Sequence, residues 1–244
     1  MSLERKRGFY EKYIKRILDI ICSLLAIIIF SWLYIIIAIL VRINMGSPVL
    51  FNQPRPGLVK NGKETIFNMF KFRTMTDDRD VNGNLLPDNQ RLPKFGVWLR
   101  KTSLDELPEA FNILKGDMSV IGPRPQLVRD MVFMSEQQRM RHTAKPGLSG
   151  LAQVKGRNAI TWEEKLDWDL KYIEKVTFIN DVKLVFETVK VAFVKQEGIT
   201  DGENATALDY GDALLKEGIV SREQYDLLQK QAKMYIRKYE VQQH

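Results

Sequence analysis

From Ile20 to Val41 the chain reads IICSLLAIIIFSWLYIIIAILV, without a single charge. At about 1.5 Å per residue a helix of that length crosses the ~30 Å hydrocarbon core of a bilayer. The run starts too late, is too long, and lacks the small-residue cleavage site of a signal peptide. A membrane is therefore its expected solvent. Basic residues set the topology, because positive charge marks the cytoplasmic side. Arg5, Lys6, Arg7, Lys12, Lys15 and Arg16 precede the run; Arg42, Arg55, Lys60 and Lys63 follow it. With both flanks positive, the expectation is a re-entrant hairpin over residues 17–41, broken near Ser31, with both ends in the cytoplasm. A simple span is the alternative, since serine alone bends a helix weakly and no proline accompanies it. Asp19, at the start of the run, is placed to pair with Lys15 or Arg16 one turn earlier.

The 244 residues suffice for one domain and an appendage. A net charge of +7 implies anionic partners: phospholipid headgroups, phosphorylated small molecules or nucleic acid. The one cysteine, Cys22, lies in the apolar run, so no intrachain disulfide can form, and His142 and His244 are the only histidines. Zinc or histidine chemistry is poorly supplied. Carboxylates and basic residues must carry any reaction. No Walker loop and no dinucleotide fingerprint occurs.

Beyond the apolar run, PVLF (48–51) reads as a short strand and QPRPGLVKNGK (53–63) as a loop. TIFNMFKFRTM (65–75) reads as extended, with Lys71 and Arg73 on one face. Residues 76–93 form a polar loop. Its Asp77, Asp78 and Asp80 lack the downstream glycine and glutamate of a calcium loop. A short helix is expected over 107–115, then a turn, a short strand and a rigid Pro-Arg-Pro through residue 126. Helices follow at 161–175 and 181–195, the second with Val182, Val185, Phe186, Val189 and Phe193 along one face. After a polar linker, Ser221 and Gln224 form a capping box for a last helix. Its Tyr225, Leu228, Ala232, Tyr235 and Tyr239 make a short coiled-coil seam, so the tail is expected to serve association and to be dispensable for chemistry.

Residues 102–109, TSLDELPE, pose the sharpest choice. As a capping box, Ser103 would be the N-cap and Glu106 its partner. Pro108 then falls where its missing N–H would cost an intrahelical bond. A helix starting at Pro108 is more natural and leaves Asp105 and Glu106 just ahead of it. The residues alone leave a plain helix start and a catalytic pair equally open. Arg124 in GPRP and Arg55 in QPRPG are each held between prolines, which aims a guanidinium suited to bidentate phosphate binding.

KFRTM, LRKTSLDELPEAFNILKGDMSVIGPRPQL and KPGLSGLAQVKGRN, in this order after an apolar segment, closely resemble the bacterial sugar transferase family. These are monotopic polyprenyl-phosphate phosphoglycosyl transferases, and the resemblance covers roughly residues 10–195. It implies an α+β, helix-rich fold: a re-entrant membrane segment (1–45), a catalytic domain (46–196), and a linker with a helical tail (197–244). It implies transfer of a sugar-1-phosphate from a UDP-sugar to undecaprenyl phosphate, with release of UMP and with Mg2+ as cofactor. It implies a place on the cytoplasmic face of the bacterial inner membrane, in contact with membrane lipids and not with nucleic acid. On the family pattern Asp105 is the nucleophile and a metal ligand, and Glu106 assists. Lys71, Arg73, Arg124, Arg157 and Asp181 match residues that serve the substrate. The family's Ser-Pro break is Ser31-Trp32 here, and Leu151 and Lys155 depart from common loop residues. A nucleotide-sugar diphosphatase and a non-catalytic basic membrane adaptor are the competing readings. A homo-oligomer through the tail is the expected assembly.

Overall fold

A computed structural model describes residues 3–156, 160–191 and 208–243. The apolar run is two helices. A π-helical turn, Tyr10–Ile14, leads into α1 (Lys15–Ile29), and α2 (Ser31–Met45) follows a break at Phe30. The two arms are bent by 64°. Among the described residues no single helix is long and apolar enough to cross a membrane. The break needs no proline: Phe30 leaves helical geometry (ψ 11°), and Ser31 opens the second helix.

α1 is built inside out. Lys15, Asp19 and Ser23, at i, i+4 and i+8, are its buried residues, while Ile17, Ile21, Leu24, Leu25 and Ile28 are exposed. The expected local pairing of Asp19 does not form. Its Oδ1 accepts hydrogen bonds from Ser119 Oγ and Val120 N, both 2.9 Å, and Lys15 pairs with Asp181 instead. A helical i–4 ion pair is worth only ~0.2–0.5 kcal/mol, and buried tertiary partners override it.

Strands β1 (Leu50–Lys60) and β2 (Lys63–Phe72) form an antiparallel hairpin closed at Asn61-Gly62, both with positive φ. The loop expected over 53–63 is thus largely strand. Arg73 N donates to Val49 O at 2.9 Å, so up to the register shift after Pro56 the odd-numbered residues of β1 exchange hydrogen bonds with β2. Pro54 and Pro56 fall on the even positions, where a missing N–H faces away from the partner strand.

Four short helices or turns follow: α3 (Asp88–Arg91), α4 (Lys94–Lys101), a 3-10 turn (Leu104–Glu106) and α5 (Glu109–Lys115). β3 (Ser119–Ile121) pairs in parallel with β4 (Gly147–Ser149) across α6 (Val128–Met131), α7 (Glu136–Arg139) and a 3-10 turn (Met140–Thr143). The strands approach so closely that a Cβ on Gly147 would sit 2.1 Å from Gly122 N. α8 (Leu151–Lys155), α9 (Trp162–Glu174) and α10 (Phe178–Lys190) complete the domain. Ile37, Val41, Met45, Phe72 and Leu99 make one core, joining α2 to β2 and α4. Ile121, Tyr172, Ile173 and Leu184 make another beneath α9 and α10. Phe193 lies outside the described residues.

The tail carries α11 (Tyr210–Lys216) and α12 (Arg222–Gln243), and the Ser221–Gln224 capping box forms as expected. The seam does not stand free. Ala232 is buried against Val128 and Met131 of α6, with Tyr235 beside them, and Tyr225 packs 5.5 Å from Phe133. Residues reserved for association by their spacing are used on the chain's own domain.

Candidate active site

Ser103 adopts a left-handed conformation (φ 55°) and makes no side-chain capping bond, which removes the capping-box reading. One 3-10 turn carries Asp105 and Glu106, and α5 starts at Glu109 with Pro108 as its N-cap. The turn leaves both carboxylates facing inward. Lys71, from β2, donates to Glu106 Oε1 at 2.7 Å, and Arg124, from the Pro-Arg-Pro loop, pairs with the same oxygen. Lys71 Nζ also lies 3.2 Å from Glu109 Oε1. Glu109 is 1% exposed and was not foreseen; its signal was the i+3 spacing that places it on the same helical face as Glu106.

The cluster pulls its carboxyl groups apart. Burial pushes Asp105 up to about 6, against Lys71, which lowers it. Glu106 is half-buried, and Arg124 and Lys71 hold it well below the usual carboxylate range. Burial and the Glu106 charge raise Glu109 to about 7. Glu106 in turn raises Arg124.

Two further arginines fix the loop that carries Arg124. Arg141 Nη2 donates to Arg124 O at 2.5 Å, and Arg55 Nη1 donates to Pro125 O at 3.0 Å. Arg141 is itself held by Asp169 at 2.9 and 2.6 Å, both residues about 1% exposed. Arg141 and Asp169 escaped the sequence because they meet only through the tertiary fold.

Three expected substrate residues fare differently. Arg73 does not join Lys71: it binds Met75 O, Ser47 O and Asp77, tying the strand end to the following loop. Arg73 lies just past the last residue of β2, and its side chain is engaged there while Lys71 turns to the acidic cluster. Asp181 holds a lysine, Lys15. It is 5% exposed, and Tyr10, Lys15 and Tyr172 take its oxygens, so it anchors the π-helical turn and the start of α1. Thr177, not Asp181, caps α10. Arg157 lies outside the described residues.

The profile of the family described as bacterial sugar transferase matches residues 10–195, which takes in the hairpin, the acidic turn and the Pro-Arg-Pro loop. The chain belongs to that family. It is 45% identical over 194 residues to an uncharacterized sugar transferase, EpsL, of Bacillus subtilis, covering 80% of this chain and 94% of that one. It is 38% identical to a UDP-glucose:undecaprenyl-phosphate glucose-1-phosphate transferase of Klebsiella pneumoniae, covering 75% of this chain and 40% of the relative. It is 35% identical to an undecaprenyl-phosphate galactose phosphotransferase of Salmonella typhimurium, with 74% and 40% covered. The match thus spans less than half the length of these two longer relatives.

The family resemblance implies Mg2+, and the donor set can be tested against that ion. Among the described residues no group of three or more acidic, histidine or cysteine side chains converges as a metal cage. Glu106 is taken by two cations. What fits is a hard ion held by one carboxylate, Asp105, and completed by substrate phosphate and water, which is how Mg2+ commonly binds.

Proposed function

We propose that this bacterial sugar transferase moves a sugar-1-phosphate from a UDP-sugar to undecaprenyl phosphate. Asp105 Oδ attacks the phosphorus that bears the sugar, and the bond to the UMP oxygen breaks. UMP leaves, and a sugar-phosphoryl ester stays on Asp105. A phosphate oxygen of undecaprenyl phosphate then attacks the same phosphorus, freeing the carboxylate and forming undecaprenyl-diphospho-sugar. Carboxylates are established nucleophiles in such two-step exchanges. Mg2+, held by Asp105 and the diphosphate, would supply charge neutralisation. Arg124 and Lys71 neutralise Glu106 at rest and lie beside the path of an incoming polyanion. The names of the relatives support the acceptor and the sugar phosphate.

The observation that carries the reading is the split environment of the acidic pair. Both cations settle on Glu106, while Asp105 keeps a raised affinity for protons and hence for phosphorus.

The membrane part rests on the inverted helix α1. A surface of Ile17, Ile21, Leu24, Leu25, Ile28, Trp32, Ile35, Ile36, Ile39 and Ile43 is too large to face water and suits lipid. The 64° bend and the basic flanks support a re-entrant hairpin on the cytoplasmic face of the inner membrane.

Intact-protein mass spectrometry after UDP-sugar treatment without acceptor tests the chemistry. One added sugar-phosphate, mapping to Asp105 and absent from Asp105→Asn, is expected. A turnover-competent protein that never carries it requires direct transfer. UMP release that continues over many turnovers without undecaprenyl phosphate makes the protein a diphosphatase. No UMP release from the wild type, with anion and membrane binding unchanged in Asp105→Ala, leaves only the adaptor reading.

A further inference from the structure

The helical hairpin does more than lie against the catalytic domain; it grips α5, the helix that leaves the acidic turn. Tyr34, on α2, donates its hydroxyl to Leu107 O at 2.7 Å, one residue past Glu106. Its ring packs edge-on against Phe111 of α5 at 5.5 Å and lies 6.2 Å from Phe72, the neighbour of Lys71. At the other end of α5, Arg16 of α1 donates to Ile113 O at 2.6 Å and to Leu114 O at 2.7 Å. These are carbonyls of the last turn, where Ile113 O also accepts from the Gly116 N–H at 3.1 Å and where a cation meets the favourable end of the dipole. Gly116, which ends the helix at φ +102°, leaves room for the grip: a Cβ there would lie 3.2 Å from the Arg16 guanidinium.

We infer that Tyr34 and Arg16 are positioning residues of the transfer reaction, holding the acidic turn in register with Lys71 and Arg124 by fixing α5 at both ends from the membrane hairpin. The inference rests on the proposed transferase reaction. α5 has only seven residues; Asn112 ties its middle to β2 through Phe70 N at 2.9 Å and Asn68 O at 2.7 Å, and the hairpin ties its two ends. Glu106 must meet Lys71 from a strand and Arg124 from a loop at once, and a shift of ~1 Å in such a constellation can cost as much as a hundredfold in rate. A hairpin that served only as an anchor would have no need of polar contacts to the backbone beside the dyad. The consequence is that the membrane segment governs the chemical step and not merely access to the lipid substrate.

The test uses the full chain in detergent micelles, with Tyr34→Phe, which keeps the ring and removes one hydroxyl, and Arg16→Lys, which keeps the charge and loses the fork. UMP release is measured while UDP-sugar and undecaprenyl phosphate are varied in turn, alongside liposome flotation and amide hydrogen exchange over residues 104–113. Loss of one hydrogen bond predicts a kcat about five- to tenfold lower, with both KM values and flotation unchanged and with faster exchange confined to 104–113. Unchanged exchange in both variants overturns the inference, as does faster exchange with wild-type kcat, or a loss seen only in the KM for the lipid or in flotation. If the wild-type protein releases no UMP, the transferase reading fails and the exchange data alone decide the tie.

Discussion

Asp105→Asn should abolish turnover and make the protein more stable. In the folded chain the Asp105 carboxyl is raised from 3.8 to about 6, chiefly by burial. A rise of that size corresponds to about 3 kcal/mol of stability lost when the group is ionised. The folded state therefore holds this proton more tightly than the unfolded chain between about pH 4 and 6. The wild type gains stability from this group as pH falls through that window, and Asp105 costs most above pH 6. Asparagine has no proton to exchange, so the variant should exceed the wild type by up to about 3 kcal/mol at pH 7–8, or ~6–12 °C in Tm for a chain of this length. The gap should close by about pH 4. Thermal melts of both proteins in the same detergent, from pH 4 to 8, read it directly. A variant that is less stable than the wild type at pH 8, or a gap that does not change with pH, would refute the argument that burial of the Asp105 carboxylate costs the fold stability.

Asp169→Asn should lower stability by about 3–5 kcal/mol, because Arg141 is then buried without its counter-charge; chemical denaturation checks it, and a loss below 1 kcal/mol contradicts the pairing. Ala232→Arg should destabilise the protein by at least ~1–3 kcal/mol through overpacking against Val128 and Met131, with no change of oligomeric state by light scattering. Loss of an oligomer at unchanged stability would instead return the α12 seam to association. In a Cys22→Ser background, Gly8→Cys and Lys60→Cys should label from the same side of sealed vesicles; labelling from opposite sides means that the hairpin spans.

What could be read from the sequence depended on how local each cause was. Pro108 disfavours a helix running from Ser103 by a local rule that needs no tertiary knowledge, so the start of α5 was legible to within two residues. The same residue type misled at β1. Pro54 and Pro56 read as loop residues, yet their spacing of two puts both on the outward side of a two-stranded hairpin, a fact fixed only by the register with β2. Asp19 had cations one turn away and took Ser119 and Val120 instead. Periodicity found the face of α12 but not its partner, because heptad spacing says that a stripe is buried and not against what. Glu109, Arg141 and Asp169 carry no motif. They matter because β2, the Pro-Arg-Pro loop and α9 bring charges together across the fold.

The acidic pair shows how neighbouring carboxylates acquire different work. Lys71 and Arg124 both settle on Glu106, so its negative charge is already spent, while Asp105 stays the more basic of the two. Glu106→Gln undoes that division. It removes a like charge that raises Asp105, and it frees two cations that lower Asp105. Both changes act in one direction, so the Asp105 carboxyl should fall below 6. Residual turnover in Glu106→Gln should therefore be slow but persist to lower pH, its acid limb displaced downward from the wild type's. The slowing and the displacement have one origin: a carboxylate stabilised by two cations gives up its proton easily and attacks phosphorus reluctantly. A pH–rate profile of kcat from pH 4.5 to 8 distinguishes this from a lost general acid or base, which would flatten a limb and leave the position of the other unchanged. An acid limb that stays at the wild-type position or moves up would show that Glu106 does not set the basicity of its neighbour.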